Sequence, residues 1–280
     1  MTVPPAISGS TRLAAVIGSP VRHSLSPALH NAAFAALGID WRYVAFEVAP
    51  GAAGAALDAM RTLGIGGLSV TMPHKDDVAG AVDELDPAAA ALHSVNTVVP
   101  IGEGRLRGHS TDGAGFVASL REAGVDPAGM RVGILGAGGA ARSVVDALAR
   151  AGADSIVVVN RSAERAVQTA ALAGERGAPG DADAISGCDL VVNATSVGMG
   201  DDSLPIDPAL LRWTHVVADL VYHPLETALL RAAREIGART VDGLGMLVHQ
   251  AVLQQELWHG TRPDPAVMRA AAMRELAARE

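Results

Sequence analysis

Short apolar runs and segments of helical spacing alternate along most of the chain. Residues 13–17, 41–48 and 68–71 are apolar and brief enough to be buried strands. Between them, residues 26–37 and 52–63 carry apolar positions at helical intervals, and Gly38 closes the first of these helices. Ser26 and Pro27 suit the N-cap and first helical position there. Another helix starts near His74 and Lys75, and Asp86-Pro87 punctuates the chain after it. Residues 96–101 and 105–108 flank Gly102 and Gly104 as the two arms of a hairpin.

A helix is predicted from Asp112 onward, followed by strands at 132–135, 155–160, 190–194, 216–219 and 240–242, with helices between most of them. Residues 178–181, Ala-Pro-Gly-Asp, read as an ordinary loop. Residues 244–258 and 265–278 are helical with no strand after them, and could pack on either half. Two successive blocks of alternating strand and helix predict an α/β protein of two domains.

The second block opens on Arg131-Val-Gly-Ile-Leu-Gly-Ala-Gly-Gly-Ala-Ala-Arg142. An apolar strand, a glycine turn and an amphipathic helix in this order form the G-x-G-x-x-A dinucleotide pattern, with Gly136, Gly138 and Ala141 in its three slots. The first glycine permits the tight turn, and the second lets a pyrophosphate reach the backbone. The small third residue lets helix and strand pack closely. The next strand ends in Asn160-Arg161-Ser162, with Arg165 one turn later. An NAD site usually carries a carboxylate there for the ribose 2′-hydroxyl. A guanidinium instead matches a 2′-phosphate and can stack on adenine, so the expected cofactor is NADP.

Composition narrows the partners. The 280-residue chain carries a net charge of −8, which argues against nucleic acid and anionic membrane as partners. Hydrophobic residues make up 49% but aromatics only 3%, so the core is built from Ala, Val and Leu. Cys188 is the single cysteine, which excludes an internal disulfide and suits a reducing compartment. Residues 1–6 lack the basic-then-apolar pattern of a leader, no run reaches the length of a membrane span, and a cytoplasmic protein is expected. The histidines at 23, 30, 74, 93, 109 and 249 lack metal-ligand spacing, so no metal is expected.

Polar residues gather at strand ends and turns in the first block: Ser24 and Ser26, Thr71 and Lys75, Asn96, then Thr111 and Asp112. Each also has an ordinary structural job, as cap, turn former or solvated helix residue. Together they offer hydroxyls, an amide, one cation and one carboxylate, which suits a small polyhydroxy acid and protonation of a carbonyl during hydride delivery.

With these motifs in view, the chain resembles the shikimate dehydrogenase family over nearly its whole length. The resemblance is carried by Gly18-Ser-Pro-Val-Arg-His-Ser-Leu-Ser-Pro-Ala-Leu-His-Asn31, Gly67-Leu-Ser-Val-Thr-Met-Pro-His-Lys75, Ser94-Val-Asn-Thr97 and Ser110-Thr-Asp-Gly113. It continues in Gly136-Ala-Gly-Gly-Ala-Ala-Arg142, Asn160-Arg161-Ser162, Asn193-Ala-Thr-Ser-Val-Gly-Met199, Asp219-Leu-Val-Tyr-His-Pro224 and Gly243-Leu-Gly-Met-Leu-Val-His-Gln-Ala251. The resemblance implies reversible NADP-dependent reduction of 3-dehydroshikimate to shikimate, in aromatic amino acid (chorismate) biosynthesis. Residues 1–113 with 245–280 would form the substrate domain, and 114–244 a Rossmann-type NADP domain with the cleft between them. Ser24 and Ser26 would hold the substrate carboxylate, and Thr71, Asn96, Tyr222 and Gln250 would hold its hydroxyls or line its pocket. Lys75 and Asp112 would be the catalytic pair. The cofactor would meet Gly136, Ala137, Gly138, Gly139, Ala140, Asn160, Arg161, Ser162, Arg165 and Thr195, with its nicotinamide near Leu220 and Gly243. A monomer or homodimer is expected.

The chain departs from the family pattern at Ser69 and Ser110, where the family usually has Asn. Ser69 has a shorter reach, so one substrate-hydroxyl contact would be lost or bridged by water. Quinate or an amino-substituted analogue therefore stays open as substrate, and a non-catalytic NADP(H)-sensing protein is the alternative of another class.

Overall fold

In the computed structural model, which describes residues 5–279, the chain divides into two compact units, Met1–Thr111 with Gln250–Glu280, and Asp112–His249. Residues 1–4, part of the stretch read above for leader features, and residue 280 lie outside the described residues. The junctions fall at 111/112 and 249/250, where the sequence reading set them at 113/114 and 244/245. A helix begins at Asp112, and another runs unbroken through Gly243–His259, so the second junction lies within a helix.

The first unit contains β1 (Arg12–Gly18), α1 (Ser26–Leu37), β2 (Trp41–Glu47), α2 (Ala53–Leu63), β3 (Gly67–Val70) and α3 (Lys75–Ala79). It continues with β4 (Glu84–Leu85), α4 (Pro87–Leu92), β5 (Thr97–Pro100) and β6 (Leu106–His109). The sheet order is β2-β1-β3-β5-β6-β4. β1 runs parallel to β2 and β3, while β5 is antiparallel to both β3 and β6. β1 is apolar on both faces because both faces are covered. Ala15 and Ile17 pack with Leu57 and Met60 of α2, and Ala14 and Val16 share the other side with Phe34, Tyr43 and Trp258. Gly67 is required here: a Cβ on it would sit 2.4 Å from Cδ2 of Trp258, whose Nε1 donates to the Val98 carbonyl at 3.1 Å.

Two local expectations are corrected. Leu25, not Ser26, occupies the N-cap of α1, and no side chain caps that end. Ser26 instead lies inside the helix, its N–H donating to the Ser24 hydroxyl at 3.2 Å. Asp86-Pro87 is more than punctuation: Pro87 takes the first turn of α4, and the Asp86 carboxylate caps it by accepting from the Ala89 N–H at 2.6 Å.

The second unit contains α5 (Asp112–Glu122), β7 (Arg131–Leu135), α6 (Gly139–Arg150), β8 (Ser155–Val159), α7 (Ala163–Ala170) and β9 (Gly177–Gly180). β10 (Leu190–Asn193), β11 (Val216–Asp219), α8 (Ala228–Glu235) and β12 (Arg239–Val241) follow, and then α9 (Gly243–His259) begins. All neighbouring strands are parallel, in the order β12-β11-β10-β7-β8-β9. Counted from β7 this is the dinucleotide-binding order 3-2-1-4-5-6, which places a topological switch point between β7 and β10. β9 corrects the loop read at 178–181. Its sequence is Gly-Ala-Pro-Gly, with no apolar run to signal it, and its pairing with β8 depends on close approach. A Cβ on Gly177 would fall 1.9 Å from the Ala170 carbonyl, and one on Gly180 would fall 2.4 Å from Val157. The final helix, α10 (Pro265–Ala277), packs on α1 in the first unit.

Candidate active site

In the first unit, strand direction gathers the predicted residues at one end of the sheet. β1 and β3 are parallel, so the Ser24–Ser26 turn and the Thr71–Lys75 turn leave from the same edge. β5 runs the other way, which brings Asn96, the residue before its start, to that edge, and Thr111 follows the end of β6 there. Backbone bonds tie these loops together. Ser19 N–H donates to Met72 O at 2.9 Å, Val70 N–H to Asn96 O at 2.8 Å, and Val95 N–H to Lys75 O at 3.0 Å. Gly18 admits the Thr71 methyl, since a Cβ there would lie 2.4 Å from it. Lys75 begins α3, partly exposed, beside the buried His74, whose Nε2 lies 2.8 Å from the Val48 carbonyl.

Asn96 is buried, and its amide shapes the edge. Nδ2 donates to the Thr111 hydroxyl at 2.9 Å, and Oδ1 accepts from the Thr111 N–H at 2.9 Å and the Thr97 hydroxyl at 2.8 Å. This clasp fixes the residue just before Asp112, which opens α5.

Ser69 points inward. It is 6% exposed, accepts from the Tyr43 hydroxyl at 2.7 Å and donates to Gln254 Oε1 at 2.8 Å. The Gln254 amide nitrogen in turn lies 3.3 Å from the Asn96 carbonyl. The Ser69 hydroxyl thus spends its one donor inside the protein and accepts a bond there as well. Burial pushes the Tyr43 phenol well above its ordinary pKa, so it stays a neutral donor. Gln250 lies one turn before Gln254 on α9 and is buried like it. Behind this chain His30 stacks on Tyr43 with ring centroids 4.2 Å apart, and burial lowers its pKa to about 3.

In the second unit the glycine turn lies at the switch point. Gly136 has φ 107°, a conformation that L side chains rarely adopt, and a Cβ there would meet the Thr195 methyl at 2.9 Å and Ala194 O at 3.0 Å. The β7 and β10 ends therefore touch through this glycine. Gly138 is the N-cap of α6 with φ −85°, and a Cβ on it would meet nothing within 4 Å. Open space above bare backbone at a helix N-terminus fits the approach of a phosphate. Ala141 is fully buried, as close packing of helix and strand demands.

Beside this turn lies a recess of about 460 Å³ lined by Ala137, Gly138, Gly139, Arg142, Arg165, Gln168 and Thr169. Ser162 caps α7, its hydroxyl accepting from the Arg165 N–H at 3.4 Å, and Asn160 Nδ2 donates to the Ser162 carbonyl at 3.0 Å. Arg161 is exposed and does not line the recess. Sequence reasoning missed Arg142, which stands at the end of the glycine motif, and Gln168, which no motif covers.

Thr195 is held by Asn193. Its hydroxyl donates to Asn193 Oδ1 at 2.7 Å and accepts from the Val197 N–H at 3.0 Å. Asn193 Nδ2 donates to Asp219 Oδ1 at 2.9 Å, and the Thr227 hydroxyl donates to Asp219 Oδ2 at 2.7 Å. Burial raises the pKa of Asp219, and these donors oppose the shift. Sequence matching noted Asn193 and Asp219 but assigned them no role. Leu220 and Gly243 are neighbours: a Cβ on Gly243 would lie 2.5 Å from the Leu220 carbonyl oxygen. Tyr222, half-buried, follows in the same loop after β11. Among the described residues, no group of three His, Cys, Asp or Glu side chains could hold a metal ion, and no helix is long and apolar enough to cross a membrane.

Comparison with known proteins matches residues 16–98 to the shikimate dehydrogenase substrate binding domain, 120–197 to shikimate / quinate 5-dehydrogenase, and 243–273 to the shikimate 5'-dehydrogenase C-terminal domain. A shikimate dehydrogenase (NADP(+)) of Moorella thermoacetica is 47% identical over 275 residues, covering 94% of this chain and 92% of that protein. A crystal structure of a shikimate dehydrogenase in complex with NADP+ superposes with TM-score 0.93 at 36% identity, covering 98% of this chain and 99% of that one. The shikimate 5-dehydrogenase of Thermus thermophilus, in complex with NADP(H) and shikimate, gives TM-score 0.89 at 38% identity, covering 94% and 99%. Identity at this level over nearly the full length of both proteins settles the family: the chain belongs to the shikimate dehydrogenases.

Proposed function

We propose that this chain is an NADP-dependent shikimate dehydrogenase that interconverts 3-dehydroshikimate and shikimate. The observation that carries the reading is the presence, in one chain, of two assembled ends. One is a glycine turn opening on a recess with two guanidiniums. The other is a sheet edge where Lys75 and Asn96 are tied by adjacent backbone bonds.

When bound, NADP(H) would give a hydride to the ketone carbon in one direction and take it from the carbinol carbon in the other. The backbone N–H groups at Gly138, Gly139 and Ala140 would receive the pyrophosphate, and Ala137 and Thr195 would line its path. Asn160, Arg161, Ser162 and Arg165 would meet the adenosine end. Lys75, as an ammonium, holds the negative charge that grows on the carbonyl oxygen and gives it a proton; in the oxidative direction its neutral amine takes the proton back. Asp112 accepts a hydrogen bond from the same hydroxyl and orients Lys75. Ser24 and Ser26 hold the substrate carboxylate, and Thr71, Asn96, Tyr222 and Gln250 hold its hydroxyls. Ser69 takes no part in substrate contact on this reading, because its hydroxyl is already committed to Tyr43 and Gln254.

The test is a grid of assays following reduced-nicotinamide absorbance with shikimate or quinate and NADP or NAD. Turnover strongest with shikimate and NADP is expected. Preference for quinate with NAD would overturn both substrate and cofactor, and no turnover with any pair would favour a sensing protein.

A further inference from the structure

Gln254, 1% exposed on α9, joins two of the segments that end at the site edge of the first unit. Its Nε2 donates to the Asn96 carbonyl at 3.3 Å, and that carbonyl also accepts from the Val70 N–H at 2.8 Å. A carbonyl oxygen can only accept, so the amide nitrogen must face Asn96 and Oε1 must face Ser69. The single Ser69 proton therefore goes to Gln254 Oε1 at 2.8 Å, and the Tyr43 proton goes to Ser69 at 2.7 Å. Tyr43 lies on β2, and its phenol also bonds the Ser26 side chain on α1. One glutamine amide thus fixes the sense of a buried chain that touches α1, β2, β3 and the residue leading into β5.

Serine alone cannot set this chain. Asparagine at 69, the usual residue of the family, would bring a carboxamide on β3 itself, with two donors and an acceptor in one side chain. Ser69 has one donor and a shorter reach, and the amide arrives instead from α9. We propose that Gln254 is a positioning residue for substrate binding: with Ser69 it takes the place of the asparagine amide and holds Thr71, two residues beyond Ser69, in register with Asn96. This rests on the shikimate dehydrogenase reading above. Neither side chain is left free to meet substrate, so the effect falls on substrate affinity and not on the chemical step.

The experiment measures kcat and the KM values for shikimate and NADP in the intact enzyme and its variants. Gln254→Met keeps the volume and removes both bonds; shikimate KM should rise roughly fivefold to thirtyfold, with kcat and NADP KM within about twofold. Ser69→Ala breaks the same chain at its other end and leaves Gln254 in place. It should act in the same direction, and it carries the test if Gln254→Met does not fold. Ser69→Asn alone sets two amides in one space and should also raise shikimate KM. Ser69→Asn combined with Gln254→Ala should bring shikimate KM back to within about threefold of the wild type, well below that of Gln254→Ala alone. A role in stability alone would lower Tm and leave shikimate KM where it was. Wild-type shikimate KM in Gln254→Met or Ser69→Ala, an equal rise in NADP KM, or a double variant no better than Gln254→Ala would overturn the proposal while leaving the shikimate dehydrogenase reading standing. No turnover of shikimate by the wild type would instead sink that reading, and the proposal with it.

Discussion

Gly136 and Gly138 are two residues apart in the same turn, yet the structure gives them different tasks, and replacing each by alanine separates the two. At Gly136 a methyl group faces two penalties. The backbone sits at φ 107°, which costs a non-glycine residue roughly 1–3 kcal/mol. The Cβ would also lie 2.9 Å from the Thr195 methyl and 3.0 Å from Ala194 O, so the end of β10 must shift. Together these give a loss of about 2–4 kcal/mol. At about 2–4 °C per kcal/mol, Tm should fall by roughly 5–15 °C. At Gly138 the backbone is at φ −85° and a Cβ meets nothing within 4 Å, so Gly138→Ala should cost only about 0.5–1 kcal/mol, as a weaker N-cap. Its methyl would stand in the space left for the pyrophosphate, and NADP affinity should drop roughly tenfold to a hundredfold. Differential scanning calorimetry with NADP titration reads both quantities. A Gly138→Ala protein that binds NADP like the wild type, or a Gly136→Ala protein with unchanged Tm, would refute this assignment.

Lys75→Ala should lower kcat by roughly a hundredfold to ten-thousandfold with a much smaller change in shikimate KM; near-normal kcat with a raised KM would restrict Lys75 to binding. His30 should make the protein acid-sensitive. Its native pKa, about 3, lies below the unfolded value of 6.5, so the unfolded chain binds the extra proton between them and stability falls as pH drops through that window. At pH 5 this amounts to about 2 kcal/mol relative to neutral pH. Urea denaturation at pH 7 and pH 5 should show a shallower loss in His30→Gln than in the wild type; equal losses would contradict the assignment.

What is legible in the sequence and what is hidden there divide along physical lines. Strands such as β1 and β7 announce themselves because burial on both faces demands continuous apolar runs. The glycine turn is legible because φ 107° at Gly136 and close packing at Ala141 restrict residue choice locally. β9 is hidden because Gly177 and Gly180 serve contacts with Ala170 and Val157, which only the folded chain brings near. Ser26 reads as a cap because serine before proline often is one, but the loop from Gly18 delivers Leu25 to that position. At Ser69 the departure from the family pattern is visible, whereas its reason, a hydroxyl that bonds Tyr43 and reaches Gln254 across 185 residues of sequence, requires the fold. Arg142 is hidden in plain sight, in a motif read for its glycines.

Hydride transfer to 3-dehydroshikimate is the claim on which the rest depends, and mass spectrometry can follow it directly. With NADPH deuterated at the transferable C4 position, the shikimate formed should carry one deuterium on the carbon that was the ketone. Shikimate formed without deuterium from NADPH labelled on either face, or no shikimate at all, would contradict the account.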